Sequence, residues 1–267
     1  MKPQDTSPRQ TPFMAPVAGN PVNPLQHGLA FFHATKPDYE RAVGWFRAAA
    51  DAEDGDGLAM LGLCLLEGLG VPADAVQARD LLQRAATRGS AIGQFQLGRV
   101  LLTGRGGPAN EGDGLSAYVM AAAMGHAEAT FNLANCLYAG VGCLPDRLAA
   151  KALYLRSRTL GCTMQPRGVR VQRRELKAVR TLAVRFADPS RLIFLLKERQ
   201  QEIALVTAVA RPATPRARPG RGAATTRQRP WRQASWLAAG VMAAMAGTLG
   251  QYLRRPSRDA GPTTINF

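Results

Sequence analysis

The stretch that decides the fold is LEGLGVPAD, residues 66–74. Its Gly68-Leu69-Gly70 is compatible with two structures: a loop that cradles a phosphate, or a turn between two helices. A phosphate loop requires a strand before the glycines and a helix after them whose N-terminus faces the anion, so one Gly-x-Gly is weak support for it. The surrounding sequence has to discriminate between the two.

The glycine pair recurs every 36 residues. The positions that keep this step are Gly68, Gly104 and Gly140; Gly70, Gly106 and Gly142; Leu61, Leu97 and Leu133; Gly89, Gly125 and Gly161; Asp74, Asn110 and Asp146; and Ala85-Ala86 with Ala121-Ala122. An internal repeat of this length is typical of stacked supersecondary units. No strand pattern precedes any copy and no lysine follows the second glycine, so the pattern favours a turn.

Each 36-residue unit is predicted to contain two helices. Residues 57–67 and 74–88 place apolar side chains at helical spacing, without the alternation of a strand. The glycines allow positive φ after the first helix, Pro72 prevents its continuation, and Asp74 can cap the second helix. Gly62, next to a core leucine, and the Ala85-Ala86 pair are expected to face each other where helices pack closely.

The order A/G-x3-LG-x5-G-x-G-x3-D-x3-A-x2-W-x3-AA-x2-G resembles the Sel-one-like repeat, a relative of the tetratricopeptide repeat. Residues 57–92 and 93–128 match it in full, residues 37–56 match the second helix of an earlier copy, and residues 129–164 match as a boundary unit. The resemblance implies an all-α, right-handed α-solenoid of three to four 36-residue helix-turn-helix repeats. We expect the repeat domain to span residues 23–164.

The resemblance also implies a scaffold that holds protein partners and catalyses no reaction. If the first helix of each repeat lines the binding surface, as in tetratricopeptide arrays, the exposed face is predicted to contain Phe95, Arg99, Leu102, Thr103, Phe131, Asn135, Tyr138 and Ala139. Aromatic side chains beside Arg and Asn are typical of binding hot spots. The alternative, that Phe95 and Phe131 belong to the core between repeats, has equal support from their shared register.

Histidine and cysteine residues give no sign of a catalytic, cofactor or metal site. His27, His33 and His126 fall in no nucleophile or ligand pattern, and His126 is expected at the surface near a helix end. Cysteines lie at Cys64, Cys136, Cys143 and Cys162, without a CxxC. We therefore expect no enzyme activity, no cofactor and reduced thiols.

Charge divides the chain into a neutral front and a basic rear. Residues 165–267 carry 20 Lys+Arg and 5 Asp+Glu, which accounts for the whole net charge of +15. Residues 173–186 and 191–206 are predicted to form two amphipathic helices, separated at Asp188-Pro189, that cap the repeats within a region spanning residues 165–207. The alternative is that their arginine-rich face contacts lipid or nucleic acid.

The two ends of the chain are predicted to lie outside the folded core. Residues 1–22 are polar and proline-rich, without the apolar run of a signal peptide, and residues 208–232 form a Pro/Arg-rich linker. Residues 233–253 carry no charge and are long enough to span a bilayer as one helix, ahead of a short tail at residues 254–267. The alternative is an apolar helix that docks on protein.

Small residues in this apolar segment, at Ala239, Ala243 and Gly247, have the spacing that lets two membrane helices associate closely. More arginines precede the segment than follow it, which places the repeats in the cytoplasm by the positive-inside rule. The arginine-rich, alanine-rich composition suggests a bacterial inner membrane.

The sequence thus predicts a tail-anchored adaptor for a protein partner. Two alternatives remain: a secreted bacterial effector that inserts into a host membrane, and a nucleic-acid-binding protein that uses the basic rear, which lacks interleaved aromatics.

Overall fold

A computed structural model describes residues 23–210 of the 267-residue chain. Within this range the protein is all-α and contains no strand, as the sequence predicted. The α-helices are α1 (Pro24–Phe32), α2 (Tyr39–Asp51), α3 (Gly55–Glu67), α4 (Ala75–Thr87), α5 (Ala91–Thr103), α6 (Glu111–Ala123), α7 (Ala127–Ala139), α8 (Arg147–Thr159), α9 (Leu176–Arg185) and α10 (Pro189–Ala210). They divide into two compact units at Gln96/Leu97, within α5.

The 36-residue step is the spacing of the helices themselves. The helices α3, α5 and α7 begin at residues 55, 91 and 127, and each is followed 20 residues later by the start of α4, α6 or α8. All six contain 13 residues. The shorter α1 lies in the stretch where the first helix of an earlier copy was expected, and it packs against α2. The first eight helices therefore form four successive hairpins.

The glycine-rich stretch turns the chain between two helices, which confirms the prediction from its neighbours. Gly68 ends α3 in the left-handed region at φ 70°, and Gly70 has the same φ. The Asp74 carboxylate then caps α4 by accepting hydrogen bonds from the N–H groups of Val76 and Gln77, at 3.0 and 2.9 Å. Glycine supplies a conformation that costs other residues about 1–2 kcal/mol.

The second glycine of the turn has a further role that the sequence did not reveal. A Cβ atom added at Gly70 would lie 2.5 Å from the carbonyl oxygen of Tyr39 and 2.7 Å from the backbone nitrogen of Glu40. In the last hairpin, a Cβ atom at Gly142 would lie 2.5 Å from the carbonyl oxygen of Glu111. Each of these turns thus rests directly on the start of the preceding hairpin's second helix, where only glycine fits.

Small residues allow close packing both within and between hairpins, but not in the pairing that the sequence predicted. Gly62 does not face Ala85-Ala86; a Cβ atom there would lie 3.0 Å from Leu82 of the same hairpin. Ala85 instead meets Gly93 of the following helix, where an added Cβ atom would lie 2.6 Å from the alanine Cβ. The two kinds of small residue therefore serve different interfaces.

The basic rear forms two helices after the repeats, and the second is longer than predicted because it begins at Pro189 and not after it. α9 packs against α8, with Val179, Leu182 and Phe186 buried, and Glu175 just before it pairs with Lys151 of α8 at 2.7 Å. α10 begins at Pro189, the favoured position for proline in a helix. It contacts α6 and continues to Ala210, so the first three residues of the predicted linker are helical.

Polar contacts fix α10 to the turn between α7 and α8. Arg199 donates two hydrogen bonds to the carboxylate of Asp146, at 2.6 and 3.0 Å, and Asp146 is only 4% exposed. Gln200 both donates to the carbonyl and accepts from the N–H of Leu144, at 3.0 and 2.9 Å. The same Asp146 caps α8 by accepting from the N–H of Ala149. The Asp146 carboxylate therefore connects the turn after α7 with both α8 and α10.

No helix between residues 23 and 210 is both long enough and apolar enough to cross a membrane. The predicted N-terminal segment (1–22), the remainder of the linker (211–232), the predicted membrane helix (233–253) with its small-residue face, and the tail (254–267) lie outside the described residues.

Candidate partner-binding site

The predicted face of α5 is largely engaged in packing. Phe95, in the first unit, is half-buried. In the second unit Arg99 is only 8% exposed, and its positive charge acts on the buried Tyr118 of α6, lowering a tyrosine pKa that burial raises. Leu102 is half-buried and lies against Gly114 of α6, where an added Cβ atom would be 2.7 Å from the leucine Cγ. Arg99 and Leu102 thus support the packing of α5 on α6, and part of Leu102 stays accessible.

The predicted face of α7 turns toward α8 of the same hairpin. Phe131 is 8% exposed, and its ring packs on Tyr154 with centroids 5.3 Å apart. The Tyr154 hydroxyl donates a hydrogen bond of 2.7 Å to the side-chain oxygen of Asn135, which is half-buried. Burial raises the pKa of Tyr154, so its hydroxyl stays protonated and available as the donor. Phe131 and Asn135 thus form a core layer of this hairpin.

Tyr138 keeps part of its side chain at the surface. It is half-buried at the end of α7, and the guanidinium of Arg147 lies over its ring at 5.7 Å from the centroid. Arg147 is itself exposed at the start of α8. Thr103 and Ala139 are also exposed at the ends of their helices. An aromatic ring beside an exposed arginine offers both apolar and charge-assisted contacts to a protein partner.

The second helices contribute tyrosines that sequence reasoning did not include. Tyr118 and Tyr154 are 36 residues apart and occupy the position of Leu82 in the earlier hairpin. The side-chain N–H of Asn132 donates to the Tyr118 hydroxyl at 3.4 Å. These tyrosines orient the side chains of α7, and their shared register with Leu82 was the signal that could have found them.

His126 is a buried helix cap, not the surface residue that the sequence suggested. Its side chain is 8% exposed, and its Nδ1 accepts a hydrogen bond from the N–H of Ala129 at 3.2 Å. Burial lowers the pKa of His126 to about 4 and raises that of Glu128, whose carboxylate oxygen lies 3.3 Å from the same nitrogen. The equivalent residues of the earlier repeats, Asp54 and Ser90, cap α3 and α5 in the same way. A structural role therefore accounts for this histidine.

The four cysteines are free thiols, and three are buried: Cys64, Cys136 and Cys162. Burial raises the pKa of Cys64 and of Cys136 to about 12, and that of the half-buried Cys143 to about 11. Such thiols stay protonated at neutral pH and are poor nucleophiles.

Comparison with known proteins agrees with this architecture. The Sel1 repeat model matches four consecutive segments, residues 25–54, 55–90, 91–126 and 127–162, which together exceed half of the chain. No curated protein matches the sequence.

Solved structures with Sel1-type repeats are similar to this chain. A Sel1 repeat protein from Oxalobacter formigenes is 26% identical, with 60% of this chain and 71% of that one covered and a TM-score of 0.48. The c5321 protein of uropathogenic Escherichia coli, a protective antigen displaying an SLR fold, is 18% identical with a TM-score of 0.55. That match covers 74% of this chain but only 42% of that protein's length. From the four repeats that match in succession, this chain belongs to the Sel1 repeat family, whose members generally mediate protein–protein interactions.

Proposed function

We propose that this protein is a membrane-anchored adaptor that binds a partner protein through its repeats and performs no reaction of its own. The observation that carries the proposal is the run of four Sel1 repeats, because repeats of this family generally serve protein interaction. The anchor is the uncharged segment at residues 233–253, with the repeats on the cytoplasmic side of a bacterial inner membrane and self-association through the small-residue face of that segment.

The partner contacts the surface formed by the ends of the first helices. Leu102 and Tyr138, both in the second unit, supply partly exposed apolar area, and the half-buried Asn135 lies one turn before Tyr138 on α7. Arg99 and Phe131 support this surface from the core, since both are buried. Tyr138 with Arg147 is the expected centre of the binding energy, because aromatic and arginine side chains dominate interface hot spots.

Photo-cross-linking in cells tests the partner surface. A photoreactive amino acid is placed at Leu102 or at Tyr138 and, as a control, at Met120, an exposed residue of α6. We expect one defined protein adduct from the first two positions and none from the third. Equal labelling from all three positions would contradict the proposed surface.

Fractionation tests the anchor independently of the partner. Membranes from cells that express the full chain, or a chain ending at Arg232, are washed with high salt and then with alkali. We expect only the full chain to remain in the membrane, because the wash removes proteins held by charge alone. Release of both chains would show that residues 233–253 dock on protein.

A further inference from the structure

A shallow groove lies between α8, α9 and α10. Its volume is about 490 Å³. Its apolar part is formed by Leu148, Ala178 and Leu182. Three cationic side chains surround that part, at Arg174, Lys177 and Arg185. They follow each other at helical spacing on one face of α9 and the turn before it, so the groove combines an apolar floor with a positively charged wall.

Two of the three cations in this wall have no ion-pair partner among the described residues. Between residues 23 and 210, no carboxylate forms an ion pair with Lys177 or Arg185, whereas neighbouring cations are paired. Lys151 pairs with Glu175, and Arg199, which also lines the groove, is bound to Asp146. The groove therefore retains excess positive charge that an external anion can satisfy.

Fixed contacts hold both sides of the groove in place. α9 is anchored by the buried side chains of Leu182 and Phe186, and the residue before it by the ion pair to α8. α10 is held by the two hydrogen bonds of Arg199 and the two of Gln200. A preformed groove binds its ligand without the entropic cost of ordering its walls.

We infer that this groove is a second docking site, which binds an acidic peptide segment of a partner protein. The ligand's carboxylates pair with Lys177 and Arg185, and its apolar side chains cover Leu148 and Ala178. The protein's own C-terminal segment, residues 211–267, is not the occupant, because it carries ten arginines and one acidic residue. Among residues 23–210, no aromatic side chain lines the groove to stack nucleic-acid bases. Competition with lipid vesicles, described below, separates peptide binding from membrane binding.

The experiment maps where an acidic peptide binds on the full chain. A short peptide built only from Glu and Leu, labelled with benzophenone, is cross-linked to the protein at physiological salt, and the adducts are located by mass spectrometry. The same peptide with Lys in place of Glu serves as the control ligand. We expect adducts in residues 174–185 and at Leu148 from the acidic peptide alone. Adducts on the arginine-rich tail are counted separately.

Two matched pairs of substitutions decide whether the groove is responsible. Lys177→Glu with Arg185→Glu should reduce the groove adducts about tenfold or more, because attraction becomes repulsion. Arg173→Glu with Arg180→Glu makes the same change in net charge on exposed residues outside the groove and should change them less than about twofold. The milder pair Lys177→Gln with Arg185→Gln should give an intermediate loss, and circular dichroism verifies that every variant is folded.

Three results would overturn the inference: the absence of adducts from the groove, an equal loss in both matched pairs, or displacement of the peptide by an anionic competitor at lower concentration. The competitors are phosphatidylserine vesicles and a single-stranded oligonucleotide. Displacement by vesicles would identify a lipid-binding surface, and displacement by the oligonucleotide would identify a nucleic-acid-binding surface. The groove is read at Leu148 and residues 174–185, whereas the partner surface is read at Leu102 and Tyr138, so failure of one proposal is distinguishable from failure of the other.

Discussion

Substitution of Gly70 by alanine tests whether the turns of this protein act as contacts between hairpins. Gly70 and Gly89 share nearly the same backbone conformation, with φ of 70° and 78°. Alanine at either position therefore carries a similar conformational cost, about 1–2 kcal/mol. Around Gly89 an added Cβ atom meets nothing within 4 Å, whereas at Gly70 it would lie 2.5 Å from the carbonyl oxygen of Tyr39. Any additional cost at Gly70 thus measures the contact.

The size of that additional cost follows from the atoms involved. The clashing groups at Gly70 belong to the backbone of α2, which cannot rotate aside as a flexible side chain can. Forcing extra volume into a packed site costs about 1–3 kcal/mol. We therefore expect Gly70→Ala to destabilise the protein by about 2–5 kcal/mol and Gly89→Ala by about 1–2 kcal/mol.

Urea unfolding of a chain ending at Arg232, followed by circular dichroism, measures both variants against the unmodified protein. The midpoint shifts are comparable only if the slopes agree, because a changed slope would indicate that the hairpins unfold separately. Gly142→Ala and Gly125→Ala repeat the comparison in the second unit, where only the former meets backbone atoms. Equal destabilisation within each pair would refute the contact and leave only the effect of φ.

Three further predictions concern the second unit. His126→Ser should change the pH dependence of stability. The folded pKa of about 4 lies below the ordinary value of 6.5, so this histidine withdraws up to about 3 kcal/mol as pH falls from 6.5 to 4, and the raised pKa of Glu128 offsets part of that loss. Urea unfolding at several pH values between 4 and 6.5 measures the pH dependence of stability. Serine is chosen because Ser90 caps the equivalent helix α5. The same pH dependence in the variant and the unmodified protein would contradict burial of the imidazole. Arg199→Ala should cost about 3 kcal/mol and expose α10 to hydrogen exchange, because it leaves the buried carboxylate of Asp146 unpaired; Arg191→Ala, whose side chain is 70% exposed, should cost less than about 1 kcal/mol. Tyr154→Phe should lower stability by about 1 kcal/mol through the lost hydrogen bond to Asn135, and an unchanged thermal midpoint would argue against that bond.

The positions of the helices could be predicted because the signals that set them are local. A capping residue such as Asp74 acts on nitrogens two and three residues away, and Gly68 sets its own φ. A 36-residue period then carries each assignment from one copy to the next. The stretch before residue 37, where no repeat positions were assigned, still forms α1, since Asn23 caps it and Pro24 starts it.

Contacts between distant parts of the chain could not be predicted in this way. The carboxylate of Asp146 has the same capping role as that of Asp74, and nothing in its neighbourhood indicates a partner 53 residues later at Arg199. The side of α7 that faces α8 was also ambiguous: the register of Phe131 is the same whether the ring points outward or onto Tyr154. Periodicity gives the phase of a residue within a repeat but does not identify the neighbour it meets.

The attachment of α10 determines how mechanical load enters the folded part of the chain. A force applied through residue 211 passes along α10, where residues 204–208 are exposed, to the bonds of Arg199 and Gln200 on the turn before α8. Because these few polar bonds join α10 to that turn, they are strained before the apolar interior of the hairpins. The same carboxylate caps α8, so release of Arg199 would leave that helix start with a buried, uncompensated charge. The ion pair between Arg199 and Asp146 is thus the first contact expected to break when the chain is pulled from its C-terminal side.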